Sequence, residues 1–345
     1  MELYLESFGT RLRAKDDLFE ITIPDLTGAG NHRVEQIAPH QVRTILFQHH
    51  TSISADAILL ALKSDTDIIL CDHFGHPIGR FVSTIPNTTV NILKAQVTVS
   101  NHAPSALGFA RDWLALKAEH QIKLLNQMAA YRNELSKALI AQGCEAIGKQ
   151  LKSLMAVNLI ENTSQAAATL RGIEGISQRH YFQTLSAIMP EEYQFDSRSR
   201  QPADDLFNAL LNYAYGILYR KVESALTLAG LNPYIGFMHR DDYKRKSLVF
   251  DFIEPFRIVA DRVVLNLCAA RKVNKQHLRP VVEGGWLLNK EGKEILATEC
   301  HKQWQERPAK SSDTSKQTFQ QILEGSARQL AQQLMALAPT LIMLN

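Results

Sequence analysis

Short apolar or β-branched runs (Leu3 to Leu5, Leu18 to Ile23, Val42 to Phe47, Ile68 to Cys71 and Ile78 to Val82) alternate with turn residues early in the chain and predict β-strands. One helix interrupts them: Ser54 can cap Ala55 to Lys63, where Ile58, Leu59 and Leu62 recur at helical spacing. From Leu107 the period changes. Apolar residues fall three and four apart through Trp113, Leu114, Leu116, Ile122, Leu125 and Met128 as far as Ile140. The helical pattern resumes from Ile147 to Leu159 and again from Ser164. A last amphipathic helix is predicted over Phe319 to Leu337, after the polar loop Ser311 to Ser315. The stretch Thr84 to Ser105, with Pro86, Asn87 and Pro104, reads as a linker. Strands followed by helices predict an α+β fold, with a β-rich N-terminal domain over 1–85, a linker over 86–105 and a larger all-α domain over 106–345.

A chain of 345 residues exceeds the usual size of one core, which agrees with two domains. Its 45% hydrophobic and 21% charged residues describe a globular protein. Cys71, Cys144, Cys268 and Cys300 form no C-x-x-C pair, so neither a zinc knuckle nor a dithiol redox site is supported. The first residues lack a basic stretch followed by an apolar one, and no apolar run approaches the roughly 20 residues that cross a bilayer, so a cytoplasmic protein without membrane contact is expected. Net charge is only +3, but between His239 and Arg279 ten basic residues face five acidic ones. Such a segment attracts phosphates or forms a basic solvated face; charge alone does not separate the two.

Glu174 lies in a helix-like stretch between Gly172 and Gly175, each of which costs about 1 kcal/mol of helix stability relative to Ala and so wants a reason, such as close approach of another backbone or a ligand. A Glu in such a setting is ordinarily solvent-facing. A denser cluster follows: His239, a polar basic stretch, then Ser247-Leu248-Val249-Phe250-Asp251-Phe252-Ile253-Glu254-Pro255-Phe256-Arg257. If Ser247 caps a helix, Asp251 and Glu254 share one face, with Leu248, Phe252 and Phe256 on another. Pro255 kinks the chain just past Glu254. Two carboxylates among apolar neighbours repel each other, and a divalent cation relieves this; imidazole plus carboxylate oxygens suits Mg²⁺ or Mn²⁺ better than zinc. Ion pairs with Arg257 or Lys244 are the structural alternative. His49-His50 and Cys71-Asp72-His73 lack a third ligand at useful spacing, and no G-x-S-x-G, Walker A, H-E-x-x-H or G-x-G-x-x-G is present.

With these motifs the chain resembles the CRISPR-associated integrases, the first and most widespread Cas protein family. The matching stretches are Arg171 to Gly175 with Tyr181-Phe182, Asp204 to Tyr215, Ala229 to His239 and Ser247 to Arg257, with weaker matches at Lys123 to Gln127 and Leu288 to Lys293. Their order and separations agree over nearly the whole chain. Two departures stand out: Asp205 sits where a second proline is common, and the last ligand is Glu254 where some relatives have Asp.

The resemblance implies a β-rich domain that dimerises and a helical catalytic domain in which Glu174, His239 and Glu254 bind one Mg²⁺ or Mn²⁺, with Asp251 as a supporting acid. It implies a DNA endonuclease/integrase of CRISPR adaptation that inserts short DNA into the repeat array by transesterification. Expected partners are double-stranded DNA, a second copy of the chain and a small ferredoxin-like Cas protein. Lys244, Arg245, Lys246, Arg171 and Arg179 are candidate phosphate contacts. A transposon-encoded integrase of the same fold and a non-catalytic DNA-binding scaffold are the alternatives.

Overall fold

The computed structural model describes the chain apart from residues 1, 6, 25–31, 43, 65, 73–76, 82–87, 201, 239–244, 283, 306–316 and 344–345. Two compact units result, Met1–Asn91 and Ile92–Asn345.

In the first unit the strands are β1 (Glu2–Leu5), β2 (Arg11–Lys15), β3 (Leu18–Pro24), β4 (His32–Ile37), β5 (Thr44–Phe47), β6 (Ser52–Ile53), β7 (Asp67–Cys71) and β8 (Pro77–Phe81), with helix α1 (Ala55–Lys63) between β6 and β7. They form two four-stranded sheets, ordered β1-β5-β7-β8 and β4-β3-β2-β6. Ile45 registers with Leu3 on one side and Ile68 on the other. These three residues pack with Leu12, Phe19 and Ile21 of the second sheet and Ala57 and Ala61 of α1. Asp16 and Asp17 turn β2 into β3 with φ of 50° and 57°, the left-handed pair that matches strand twist in a two-residue hairpin. Ser54 caps α1 by accepting from the Ala57 N–H at 3.2 Å, as its position predicts. Strands β2, β4 and β6 were not legible: β2 is Arg-Leu-Arg-Ala-Lys, and the edge strand β4 buries none of its residues.

The second unit is helical: α2 (Thr88–Asn101), α3 (Ala103–Ala129), α4 (Glu134–Met155), α5 (Thr163–Ile188), α6 (Leu206–Leu228), α7 (Ser247–Phe252), α8 (Arg257–Ala269), α9 (Lys290–Gln305) and α10 (Phe319–Met343). One hairpin, β9 (Leu278–Pro280) with β10 (Trp286–Leu288), departs from the expected all-α domain. Asn133 caps α4 and Asn162 caps α5, through the N–H groups of Ser136 and Gln165. The break that the apolar period places after Ile140 therefore falls earlier, at Asn133. Asp205, in place of the proline, accepts from the Asn208 N–H at 2.7 Å and starts α6. That helix is buried on most of its circumference, through Phe207, Leu210, Leu211, Ala214, Leu218 and Val222, and forms the centre of the unit. No described helix is long and apolar enough to cross a membrane.

The expected linker is corrected. Residues 88–101 are helical, with Ala95 and Val99 in the core. The polar residues that suggested a loop serve another backbone: Gln96 donates to the carbonyls of Asn232 (2.9 Å) and Ile235 (2.8 Å), and Ser100 donates to that of Gly236 (3.1 Å). These bonds hold the segment that leads to His239. The expected loop Ser311 to Ser315 lies outside the described residues.

Candidate active site

Helix α3 buries a stripe at spacings of three and four: Ala110, Leu114, Lys117, Gln121 and Leu124. Lys117 thus occupies a core position, 5% exposed. A buried ammonium is tolerated only where carboxylates meet it, and two do. Lys117 Nζ donates to Glu174 Oε1 of α5 and to Glu254 Oε2, each at 2.6 Å. The other oxygen of Glu254 accepts from Arg257 Nε at 3.0 Å. Arg257 also donates to the Tyr219 hydroxyl at 2.9 Å, with its guanidinium 4.8 Å from the Tyr215 ring centre.

Burial by itself would raise the Glu254 carboxyl, but Arg257 and Lys117 together outweigh it and bring it down to about 2. Burial also works against the Lys117 ammonium, and the carboxylates of Glu254 and Glu174 overcome it and raise its pKa. One turn beyond Arg257, Asp261 accepts from the hydroxyls of Tyr215 (2.7 Å) and Tyr181 (2.9 Å), tying α8 to α6 and α5. Burial raises the Asp261 carboxyl despite these two bonds.

Around Glu254 the sequence predicts a helix capped by Ser247 that carries Asp251 and Glu254 side by side. Instead Ser247 is the first helical residue, with Lys246 before it, and α7 ends at Phe252. A 3₁₀ turn, Glu254–Phe256, follows at Pro255, where the kink was expected. The two acids consequently face different partners. Asp251 is 2% exposed, and its Oδ2 accepts from the N–H groups of Phe237 (2.7 Å) and Met238 (3.0 Å). It fastens the segment that precedes His239. Gly236 makes this approach possible, since a Cβ there would lie 2.6 Å from Ser247 Cβ and 2.9 Å from Asp251 Oδ2. Phe237 stacks on Phe109 and Trp113 of α3, with ring centres 5.4 and 5.7 Å apart.

His239 and Lys244 lie outside the described residues. Among the described residues no three His, Cys, Asp or Glu side chains cluster as a metal site. The donors nevertheless fit a hard divalent cation by type: Glu174 and Glu254 turn one carboxylate oxygen each toward a single positively charged atom, at the 2.6 Å of an ammonium hydrogen bond, and hard oxygen donors are what such ions take. Met238, the neighbour of His239, lines the same cavity as both acids.

That cavity, about 1100 Å³, has Glu174, Glu254 and Lys117 on its wall together with Arg171, Arg179, Arg198, Arg200, Arg245 and Arg257. Of the expected phosphate contacts it therefore gathers Arg171, Arg179 and Arg245, the last 4.7 Å above the Phe250 ring. Lys246 instead pairs with the buried Glu223 at 2.7 Å. Gly175 borders the cavity, and among the described residues an added Cβ at Gly172 or Gly175 would meet nothing, so no described backbone accounts for the pair. Arg198 was missed: it lies 5.4 Å from the Phe182 ring centre and donates to Asn208 and Asn212. Lys117 was missed too, although a charged residue on the apolar stripe of α3 was its visible signal.

Paired acids at the wall of an arginine-rich cavity are groups suited to meeting phosphodiesters. Residues 3–302 match the family described as CRISPR associated protein Cas1. The chain is 31% identical over 287 residues to a CRISPR-associated endonuclease Cas1 of Archaeoglobus fulgidus, covering 80% of each. It is 29% identical over 294 residues to another of Methanospirillum hungatei, covering 84% of this chain and 83% of the relative. In fold it is similar to a casposase bound to integration product, with TM-score 0.71, 19% identity and coverage of 97% and 96%. The chain belongs to the Cas1 family of CRISPR-associated endonucleases and integrases.

Two outcomes follow from the geometry. Asp251→Ala strands two buried N–H groups, and urea unfolding should show a loss of about 2 kcal/mol or more, with Asp251→Asn milder because it keeps an acceptor; wild-type stability in the Ala variant would contradict this role. Glu254 is bound more weakly to its proton when folded than when unfolded, so its pairs stabilise the fold above about pH 4.5 and lose that contribution as pH falls toward 2. The stability gap between wild type and Glu254→Gln should narrow on acidification, and a gap constant with pH would contradict the assignment.

Proposed function

We propose that this Cas1-family enzyme joins short DNA to a CRISPR repeat by metal-dependent transesterification, the 3′-hydroxyl of the incoming DNA attacking a phosphate at each end of the repeat. The convergence of Glu174 and Glu254 at the wall of the arginine-rich cavity is the observation that supports this reading most. Glu174, Glu254 and His239 would hold one Mg²⁺ or Mn²⁺. Such an ion, when bound, supplies Lewis acidity that makes a hydroxyl more acidic and offsets charge on a departing oxygen. Arg257 fixes the Glu254 carboxylate so that one oxygen keeps its orientation toward the site. Asp251 sets the course of the chain into His239, whose imidazole can hold the metal or pass a proton. Arg171, Arg179 and Arg245 receive backbone phosphates.

The wider assembly belongs to the same proposal. The strand-rich unit, Met1–Asn91, pairs two copies of the chain, the helical unit, Ile92–Asn345, carries the chemistry, and a small ferredoxin-like Cas partner joins them on double-stranded DNA in the cytoplasm. The support for such a partner is similarity in fold to a chain of a solved partial Cas6-RT-Cas1–Cas2 complex, with TM-score 0.72 and 20% identity.

In a strand-transfer assay with repeat-containing plasmid and Mg²⁺ or Mn²⁺, Glu174→Ala, His239→Ala and Glu254→Ala should each abolish product while DNA binding persists; wild-type transfer by any one of them would remove that residue from the centre. The basic run offers a second test. Arg245 borders the cavity whereas Lys246 is engaged by Glu223. Arg245→Gln should lower the slope of log affinity against log salt by about 1, while Lys246→Gln leaves it near the wild-type value. Anisotropy titrations at several salt concentrations measure this, and equal slopes for Arg245→Gln and wild type would place the DNA elsewhere.

A further inference from the structure

Lys117 occupies the point at which the two acids of the site meet. Its Nζ lies 2.6 Å from Glu174 Oε1 and 2.6 Å from Glu254 Oε2, and its side chain is only 5% exposed. The remaining Glu254 oxygen is engaged by Arg257. Two cations thus face two carboxylates, and the four groups sum to zero charge. A divalent cation cannot take both carboxylate oxygens while an ammonium sits between them, since each is within contact distance of that nitrogen. Adding two positive charges to a neutral cluster, buried at Lys117 and Glu254 and partly buried at Glu174, is also opposed unless negative charge arrives with them. Backbone phosphates supply that charge, and the arginines lining the same cavity are the groups that would receive them.

Resting on the metal-dependent reading above, we propose that Lys117 is the resident cation of the paired carboxylates: it holds Glu174 and Glu254 in register, is displaced from their shared position by the metal, and thereby couples metal loading to the arrival of DNA phosphate. The displaced ammonium, tethered to α3 at the cavity wall, then faces the phosphate that arrives with the metal. Lys117 is a positioning residue in this scheme. Coupling of this kind is reciprocal, so DNA tightens the metal and the metal tightens DNA by the same factor.

The test reads metal occupancy directly, by the loss of the free Mn²⁺ resonance in electron paramagnetic resonance titrations of the full chain. With the Mn²⁺ taken up by the same duplex alone subtracted, DNA should raise the Mn²⁺ affinity of the wild type; no change with DNA overturns the proposal without any variant. Without DNA, Lys117→Met should bind Mn²⁺ about tenfold or more tightly than wild type, because both the occupant and one repelling charge are gone. Its melting temperature should also rise further on Mn²⁺ addition than that of the wild type. Lys117→Arg, which keeps the charge, should bind Mn²⁺ no better than wild type. If Lys117→Met loses its helical circular dichroism, Lys117→Gln takes its place. Affinity equal to or weaker than wild type in a folded, uncharged variant overturns the displacement, leaving the metal site intact. Mn²⁺ binding by no form of the protein, with or without DNA, or binding unaltered by Glu174→Gln and Glu254→Gln, instead removes the metal reading and this inference with it.

Discussion

Glu254 is a carboxylate that the fold buries and then engages at both oxygens. Moving an ion out of water costs several kcal/mol even after relaxation, so such a group persists only where partners are fixed in place before the metal or the substrate arrives. Here they come from three directions: Lys117 from α3, Arg257 from α8 and, through Arg257, the hydroxyl of Tyr219 from α6. The arrangement constrains the backbone. A continuous helix would carry Glu254 on the same surface as Asp251; the turn at Pro255 separates them, giving Glu254 to the cavity and Asp251 to the neighbouring loop. Asp261, held by Tyr181 and Tyr215, fixes α8 in the position from which Arg257 reaches.

The loop from Asn232 to Met238 shows the same economy of means with neutral groups. It leaves α6 at Gly230, whose φ of 79° suits a residue that ends a helix. Gln96 and Ser100 donate to its carbonyls, Asp251 accepts from two of its N–H groups, and Phe237 stacks on Trp113 of α3, whose ring meets Phe252 of α7 edge-on. The segment that precedes position 239 thus has a polar backbone that is largely matched.

Periodicity alone revealed those elements whose apolar residues face one core: β1, β3, β5, β7, the α1 helix with its Ser54 cap, and the long helices α3, α5 and α10. It missed β2 and β4, where charged residues dominate and burial is slight, and it read α2 as a linker because Gln96 and Ser100 look like loop residues until their carbonyl partners are in view. At the site, Glu174, Glu254 and Asp251 stood out by motif. Their separate duties did not, because spacing along a helix assigns two acids to one face only while the helix continues, and Pro255 ends it. Lys117 lay in plain sight as a charge on a buried stripe, but its partners are 57 and 137 positions away, and one sequence carries no record of such pairings.

The cavity is also instructive in its choice of cation. Arg198, Arg245 and Arg257 each lie over an aromatic ring, Phe182, Phe250 and Tyr215 respectively. Stacking uses the face of a guanidinium and leaves hydrogen bonding to its in-plane edge, so the ring fixes the plane in which an anion can be met. An ammonium has no such plane; it is a compact charge that rotates and moves on a flexible stem. The division of labour follows from this difference. Arginines on aromatic faces suit positions where the hydrogen-bonding edge must keep one direction, as Arg257 does toward Glu254 and Arg198 toward Asn208 and Asn212. A lysine suits the one position, between Glu174 and Glu254, where the cation has to hold two acids together and still be able to leave.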